Sequence, residues 1–120
     1  VGCVVIGRNE GARLERCLLS VQNLAPRLVY VDSQSTDNSV EIAKAASADV
    51  IVLDMSTPFS AARARNTGLG QLKAVHPEVN IVQFIDGDCE LNPYWLRSAL
   101  NVLEEQDHVA VVFGRTRERN

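Results

Sequence analysis

The chain has 120 residues, of which 46% are hydrophobic and 22% are charged, and its formal net charge is −3. This length suits a single domain, and the acidic balance excludes the basic surface that nucleic-acid-binding proteins usually carry. No apolar run approaches the ~20 residues that a membrane helix needs. We therefore expect no nucleic-acid partner and no membrane segment in this chain.

Short β-branched runs alternate along the chain with stretches in which apolar residues recur at helical spacing. Strands are predicted at 3–7, 28–31, 50–53, 81–85 and 109–113. Four helices are predicted between them: one at 11–22, one that begins after a cap at Thr36 or Asp37, one from Ser60 to Val75, and one that begins after Asn92 and Pro93. Strands that are apolar on both faces and separated by helices indicate a parallel sheet covered on both sides. We predict one α/β domain over 1–120, a doubly wound, mainly parallel sheet with helices on both faces.

The three cysteines, Cys3, Cys17 and Cys89, have no metal-binding spacing. Cys3 falls in a predicted strand and Cys17 on the apolar stripe of a predicted helix, where a free cysteine behaves as a small buried hydrophobe. This pattern favours a reducing compartment. We expect a cytoplasmic setting, or one at the inner face of a membrane if other parts of the protein hold it there.

Polar side chains collect at the carboxyl ends of the predicted strands. They are Arg8, Asn9 and Glu10 after the first strand, residues 32–37 after the second, Asp54 and 57–59 after the third, and Asp86 and Asp88 after the fourth. The opposite edge carries only connections such as 24–26 and 76–77. Ligands of doubly wound sheets bind at the carboxyl ends of the strands, so we expect the functional site there.

Asp86 and Asp88 flank Gly87 directly after an apolar run. Two carboxylates this close repel each other unless a cation lies between them, and hard oxygen ligands favour Mg²⁺, Mn²⁺ or Ca²⁺. The tripeptide alone is more typical of a solvated turn, but its place among the other polar strand ends favours a metal site. The chain has no glycine-rich loop to hold phosphate, so a bound diphosphate would need a metal at these carboxylates.

Four segments resemble, in order, those of family 2 glycosyltransferases, whose nucleotide-sugar-binding fold is called GT-A. They are 4–10 (Val-Val-Ile-Gly-Arg-Asn-Glu), 29–37 (Val-Tyr-Val-Asp-Ser-Gln-Ser-Thr-Asp), 62–68 (Ala-Arg-Ala-Arg-Asn-Thr-Gly) and 84–88 (Phe-Ile-Asp-Gly-Asp). The resemblance covers essentially the whole chain. It departs from the family pattern at Gln34, which replaces the usual Gly, and at Gly7 and Arg8, which replace the common Pro-Thr.

The resemblance implies inverting, metal-assisted transfer of a sugar from a nucleotide diphosphate donor, usually a UDP-sugar, to an unidentified acceptor. The nucleotide-binding residues that it implies are Asn9, Glu10, Asp32, Arg65 and Asp86, and the ligands of a divalent metal (Mn²⁺ or Mg²⁺) are Asp86 and Asp88. Asp32 would accept a hydrogen bond from the base, whereas Arg65 would hold the base or the pyrophosphate.

Members of this family are longer than the chain, and their second half supplies the catalytic base and the acceptor site. No residue present matches that base, so we predict no catalytic residue here, and Glu90 is the one other carboxylate near the Asp86–Asp88 turn. Because the sequence also begins without Met, we expect a trimmed or processed piece that binds a nucleotide weakly without sugar transfer. Two alternatives stay open: a non-catalytic nucleotide-binding fragment and a receiver-like signalling domain.

Overall fold

The computed structural model describes residues 1–118, in which strands and helices alternate strictly. The elements are β1 (Gly2–Gly7), α1 (Ala12–Gln22), β2 (Arg27–Asp32), α2 (Ser39–Ala45), β3 (Asp49–Val52), α3 (Ala61–Val75), β4 (Val82–Asp86) and α4 (Trp95–Glu105). The four strands form one parallel sheet, which confirms the predicted α/β class. No helix within the described residues is long and apolar enough to cross a membrane.

The order of the strands, β3-β2-β1-β4, determines where a ligand site can form. The chain moves outward from β1 to β3 and then crosses to the other side of β1 to form β4. Because parallel crossovers are right-handed, this reversal places α1 and α2 on one face of the sheet and α3 on the other. The register pairs Gly7 with Asp32 and Ile6 with Asp86. The carboxyl ends of β1, β2 and β4 therefore lie side by side at a topological switch point.

Alternate residues of each strand point to opposite faces and so build two separate cores. The core against α1 and α2 contains Cys3, Val5, Tyr30, Leu14, Cys17 and Leu18, and the core against α3 contains Val4, Ile6, Val31, Ala64 and Leu72. On the second face α3 approaches the sheet very closely, because a Cβ added at Gly68 would lie 2.4 Å from Val4 Cγ1. Glycine at this position therefore determines how close α3 lies to the strand ends.

The predicted starts of α3 and α4 agree with the structure in different degrees. Ser60 caps α3 by accepting a hydrogen bond from the Arg63 N–H at 3.0 Å, as predicted. Asn92 accepts from the Tyr94 N–H at 2.9 Å, but α4 begins only at Trp95, because Asn92 and Pro93 first form a turn. The predicted cap of α2 at Thr36 or Asp37 is displaced, since the helix begins at Ser39.

The fifth strand predicted at 109–113 is wrong. This segment pairs with no strand among the described residues, and Val111 and Phe113 are 65% and 88% exposed. After α4 the chain turns back to the first residue of that helix, and a Cβ added at Gly114 would lie 3.4 Å from the Trp95 ring. An apolar β-branched run indicates only a preference for extended backbone, whereas a strand also needs a partner in register. Because this segment does not pair with β4, β4 is an edge strand among the described residues.

Candidate functional site

A cavity of about 400 Å³ opens at the carboxyl ends of β1 and β4, at the switch point of the sheet. Its polar lining comes from Arg8, Glu10, Ser33, Arg65, Asp86 and Asp88, and Met55 and Phe59 are among its apolar lining residues. Charged groups beside an apolar wall in a concave site are typical of small-molecule binding. The cavity is therefore the candidate functional site.

The structure brings four of the six predicted site residues to this cavity. Glu10, Arg65, Asp86 and Asp88 line it. Asn9 and Asp32 do not line it, and both belong to a hydrogen-bond network between the loops that follow β1 and β2. Their predicted contact with a nucleotide stays a prediction.

The turn after β4 holds two carboxylates on a fixed backbone. The Gly87 N–H donates to the carbonyl of Ile6 at 2.7 Å, and the Cys89 N–H donates to the carbonyl of Asp86 at 3.0 Å. A Cβ at Gly87 would lie 3.2 Å from the Ile6 carbonyl oxygen, so glycine allows this close approach to β1. Asp86 pairs with Arg65 at 3.1 Å, and both side chains are about half exposed.

Negative charge accumulates at this end of the cavity. Burial is the main cause that raises the pKa of Glu10, and Asp88, Asp37 and Asp86 raise it further, whereas Arg13 opposes the shift from 3.0 Å. A carboxyl whose pKa is raised by neighbouring carboxylates lies in a negative potential. That potential attracts cations.

The donor set of the turn fits a divalent metal as part of its coordination shell. Asp86 and Asp88 offer hard oxygen ligands, which suit Mg²⁺ and Mn²⁺. Burial first, and then a hydrogen bond to Asp88, raise the pKa of Cys89 to about 11, and a thiol is in any case a softer ligand than Mg²⁺ and Mn²⁺ prefer. Within residues 1–118 no three His, Cys, Asp or Glu side chains are grouped to hold a metal. The remaining ligands would have to come from a bound molecule and water.

Asp32 lies beneath the strand ends, and its carboxylate accepts three hydrogen bonds. It is 1% exposed. Its Oδ1 accepts from the Tyr30 hydroxyl at 2.7 Å and from the Ser35 hydroxyl at 2.6 Å, and its Oδ2 accepts from the Ser35 N–H at 2.7 Å. Three donors compensate for the burial of one charge.

Asn9 joins the loop after β1 to the loop after β2. Its N–H donates to the Ser35 hydroxyl at 2.9 Å, and its Oδ1 accepts from the N–H groups of Thr36 at 2.7 Å and Asp37 at 3.3 Å. Its φ of 53° lies in the left-handed region, which asparagine tolerates better than most residues. Asn9 therefore fixes the conformation of the loop that carries Arg8 and Glu10 to the cavity.

Gln34 adopts the backbone conformation that suits glycine. Its φ is 57°, a value that costs a residue with a Cβ about 1–2 kcal/mol. Its side-chain Nε2 donates to the Leu53 carbonyl at 3.2 Å, which offsets part of that cost. Gln34, which stands where the family usually has Gly, therefore keeps the left-handed backbone conformation of this turn.

Two residues that matter here were not singled out from the sequence: Tyr30 and Met55. Met55 lies shortly after the end of a strand, so its position was available as a signal, although its residue type indicates no chemistry. Tyr30 lies two residues before Asp32 on the same strand, and residues at this spacing share a face. That spacing was the signal for the contact between them.

The fold and the cavity define an α/β protein with a candidate ligand site at the switch point of a parallel sheet, and comparison with known proteins gives the family. The chain belongs to glycosyl transferase family 2, whose family model matches residues 3–120. This finding confirms the resemblance seen in the sequence and excludes the receiver-like alternative.

Similar proteins share either part of the sequence or the fold. An uncharacterized glycosyltransferase of Rickettsia bellii is 44% identical over 52 residues, which are 43% of this chain and 18% of that protein. Glucosyl-3-phosphoglycerate synthase from Mycobacterium tuberculosis, solved with Mn²⁺, UDP and glucosyl-3-phosphoglycerate, has a TM-score of 0.63 and 24% identity over 84% of this chain. A second structure of the M. tuberculosis synthase has a TM-score of 0.54 and 26% identity, also over 84% of this chain.

The chain spans only part of these relatives. It covers 38% and 40% of the two synthase structures, and the matched stretch is 18% of the Rickettsia protein. The family and the fold are therefore properties of this chain, whereas the activity of the whole protein is inferred below.

Proposed function

We propose that the cavity binds the nucleoside diphosphate part of a nucleotide sugar, with UDP-sugar as the donor class, and that the whole protein transfers the sugar to an acceptor. The observation that carries this proposal is the meeting of Asp86, Asp88 and Glu10 with Arg65 at the switch point of a GT-A sheet. A diphosphate is the ligand whose charge can be matched by a cation at the carboxylates together with a guanidinium.

Asp86 and Asp88 would hold a divalent cation, Mn²⁺ or Mg²⁺. When bound, such a cation supplies charge stabilisation for the departing diphosphate. The M. tuberculosis synthase was solved with both Mn²⁺ and UDP, which supports this choice of ligands. In the structure Arg65 donates to Asp86 at 3.1 Å, and the same guanidinium can bind phosphate oxygens in the fork geometry that arginine favours.

Asp32 would read the base through Oδ2. That oxygen accepts one hydrogen bond, whereas Oδ1 already accepts two, and each carboxylate oxygen has two lone pairs. An acceptor at this place suits the N3–H of uracil and rejects cytosine, which lacks that proton. Ser33 and Glu10 would line the path of the base, since both face the cavity.

We assign no catalytic base within residues 1–118. Glu90, two residues after Asp88, pairs with Arg16 of α1 at 3.3 Å. Inverting transfer requires a base at the acceptor hydroxyl, and we place that base in a part of the whole protein beyond the segment described here. For this chain by itself we predict nucleotide binding without transfer.

Thermal denaturation with a panel of UDP, CDP, GDP and ADP tests the nucleotide class. A ligand that binds only the folded state raises Tm with its concentration. We expect the largest rise with UDP in the presence of Mn²⁺ and little change with CDP. If no diphosphate raises Tm in the presence of Mn²⁺, the proposed function is wrong.

A further inference from the structure

Tyr30 places a hydroxyl inside the protein, directly beneath the candidate site. It is 0% exposed, in a strand whose other buried side chains are mostly aliphatic. A buried tyrosine usually needs a hydrogen-bond partner for its hydroxyl, and Tyr30 donates to Asp32 Oδ1 at 2.7 Å. Burial first, and then this hydrogen bond, strongly raise the pKa of Tyr30, so its hydroxyl keeps its proton and remains a donor.

The two donors on Oδ1 fix the rotation of the Asp32 carboxylate. Tyr30 and the Ser35 hydroxyl both bond Oδ1, and only the Ser35 N–H bonds Oδ2. Without the Tyr30 hydroxyl, Oδ1 would keep one donor and the two oxygens would become nearly equivalent. The Tyr30 hydroxyl therefore selects which oxygen keeps acceptor capacity.

A continuous chain of hydrogen bonds leads from Tyr30 to the cavity. The Ser35 hydroxyl donates to Asp32 Oδ1 and accepts from the Asn9 N–H at 2.9 Å. Asn9 lies between Arg8 and Glu10 in sequence, and these two residues line the cavity. Asn9 and Ser35 are separated by 26 positions in sequence. The position of the loop after β1 thus depends on contacts that begin in the core.

Gly7 provides the space that the Tyr30 hydroxyl occupies. A Cβ added at Gly7 would lie 3.3 Å from both the Tyr30 hydroxyl and Glu10 Cγ, which is a tighter contact than real Cβ atoms usually make. Gly7 is also paired with Asp32 in the sheet. The absence of a side chain at Gly7 and the presence of a hydroxyl at Tyr30 therefore belong to one arrangement.

We propose that Tyr30 is a positioning residue for the nucleotide site: its buried hydroxyl orients Asp32 and, through Ser35 and Asn9, holds the loop that carries Arg8 and Glu10. This inference rests on the proposed function for its effect on binding. Its effect on the hydrogen-bond network does not depend on any ligand.

Tyr30→Phe tests this role because it removes the hydroxyl and keeps the ring. We expect UDP affinity in the presence of Mn²⁺ to fall about tenfold, the scale of one hydrogen bond to a charged group, and the preference for UDP over CDP to fall with it. Val21→Ala is the matched control, since Val21 is buried in the same core near the far end of α1. It should lower Tm without changing UDP affinity.

A second variant and a spectroscopic readout keep the test decisive. Ser35→Ala removes the other side-chain donor to Oδ1 and should weaken UDP binding in the same way. In NMR spectra without ligand, Tyr30→Phe should shift the amide resonances of Ser35 and Thr36, whereas Val21→Ala should leave them in place.

Two results would overturn the positioning role. One is a Tyr30→Phe protein that binds UDP with unchanged affinity and unchanged preference over CDP. The other is a set of Ser35 and Thr36 resonances that do not move in that variant. If the wild-type protein binds no UDP, the proposed function is overturned, and the amide resonances alone decide the role of Tyr30.

Discussion

The loops after β1 and β2 and the turn after β4 border the same cavity, but the carboxylates of the two regions differ in burial and in hydrogen bonding. Asp32 is 1% exposed and accepts three hydrogen bonds from its own chain. The Asp86 side chain is 52% exposed and pairs with Arg65 at 3.1 Å. A buried carboxylate that accepts three hydrogen bonds stabilises the fold and is held in one orientation, whereas an exposed one among like charges remains free to bind a cation.

This difference separates two tasks within one site. The β1–β2 side is organised before any ligand arrives, because Asn9, Ser35 and Asp32 already satisfy one another. The β4 side carries Asp86 and Asp88, whose carboxylates add to the increase in the pKa of Glu10 that burial mainly causes. We therefore expect substitutions on the first side to change stability together with nucleotide binding, and substitutions on the second side to change metal-dependent binding with little effect on stability.

The largest effect should follow from Asp88→Asn. Removing one of two proposed metal ligands should weaken Mn²⁺-dependent UDP binding by about a hundredfold, the upper end of what supporting residues of metal sites contribute. Asp107→Asn is the control, because Asp107 is exposed and lies after α4. Titration calorimetry measures both, and similar affinities for the two variants would contradict a metal role for Asp88.

Asp32→Asn should have the next largest effect, on stability. The amide group cannot accept at both positions, so a buried donor such as the Ser35 N–H loses its partner, at a cost of about 2–3 kcal/mol. Asp86→Asn should change the free energy of unfolding by less than about 0.5 kcal/mol, as is usual for surface positions. Urea denaturation compares the two, and equal losses of stability would remove the distinction between the two sides.

Gln34 offers a smaller test on the β2 side. Gln34→Ala keeps the left-handed φ and loses the bond to the Leu53 carbonyl, so we expect a loss of about 1 kcal/mol. Gln34→Gly loses the same bond but relieves backbone strain of about the same size, so its stability should be close to that of the wild type. An alanine variant as stable as the glycine variant would show that the turn carries no strain.

Glu90→Gln should have the smallest effect. Its ion pair with Arg16 is partly exposed, and such pairs contribute about 0–1 kcal/mol. We expect unchanged Mn²⁺-dependent UDP binding and, in the whole protein, unchanged sugar transfer. Transfer that is lost in Glu90→Gln but kept in Arg16→Gln would instead identify Glu90 as the base.

The sequence was sufficient to predict the four strands of the sheet and the edge at which the site lies. Alternating apolar runs determine which segments are strands and helices, and parallel strands necessarily bring the residues that follow them to one edge. Glu10, Asp86 and Asp88 were expected at that edge for this reason and line the cavity, and so does Arg65, which only the family resemblance implied. Each of them follows a strand or lies on the helix that crosses the switch point.

The orientation of Asn9 and Asp32 could not be predicted in the same way. A polar residue at a strand end can face the solvent or the neighbouring loop, and the choice depends on partners distant in sequence, as between Asn9 and Thr36. The prediction of a fifth strand was wrong for a related reason, because pairing in register depends on two segments and cannot be inferred from one of them alone. The hydrogen bond from Tyr30 to Asp32 joins residues only two positions apart, and this contact could have been predicted from the sequence.

The most direct test of this account is calorimetric titration of UDP into the protein with Mn²⁺ and, separately, with the metal removed by a chelator. Because the carboxylates of Asp86 and Asp88 would repel an unneutralised diphosphate, the account predicts measurable binding with Mn²⁺ and at least about tenfold weaker binding without it. Equal affinity under the two conditions would contradict the claim that this cavity binds a nucleoside diphosphate through a metal.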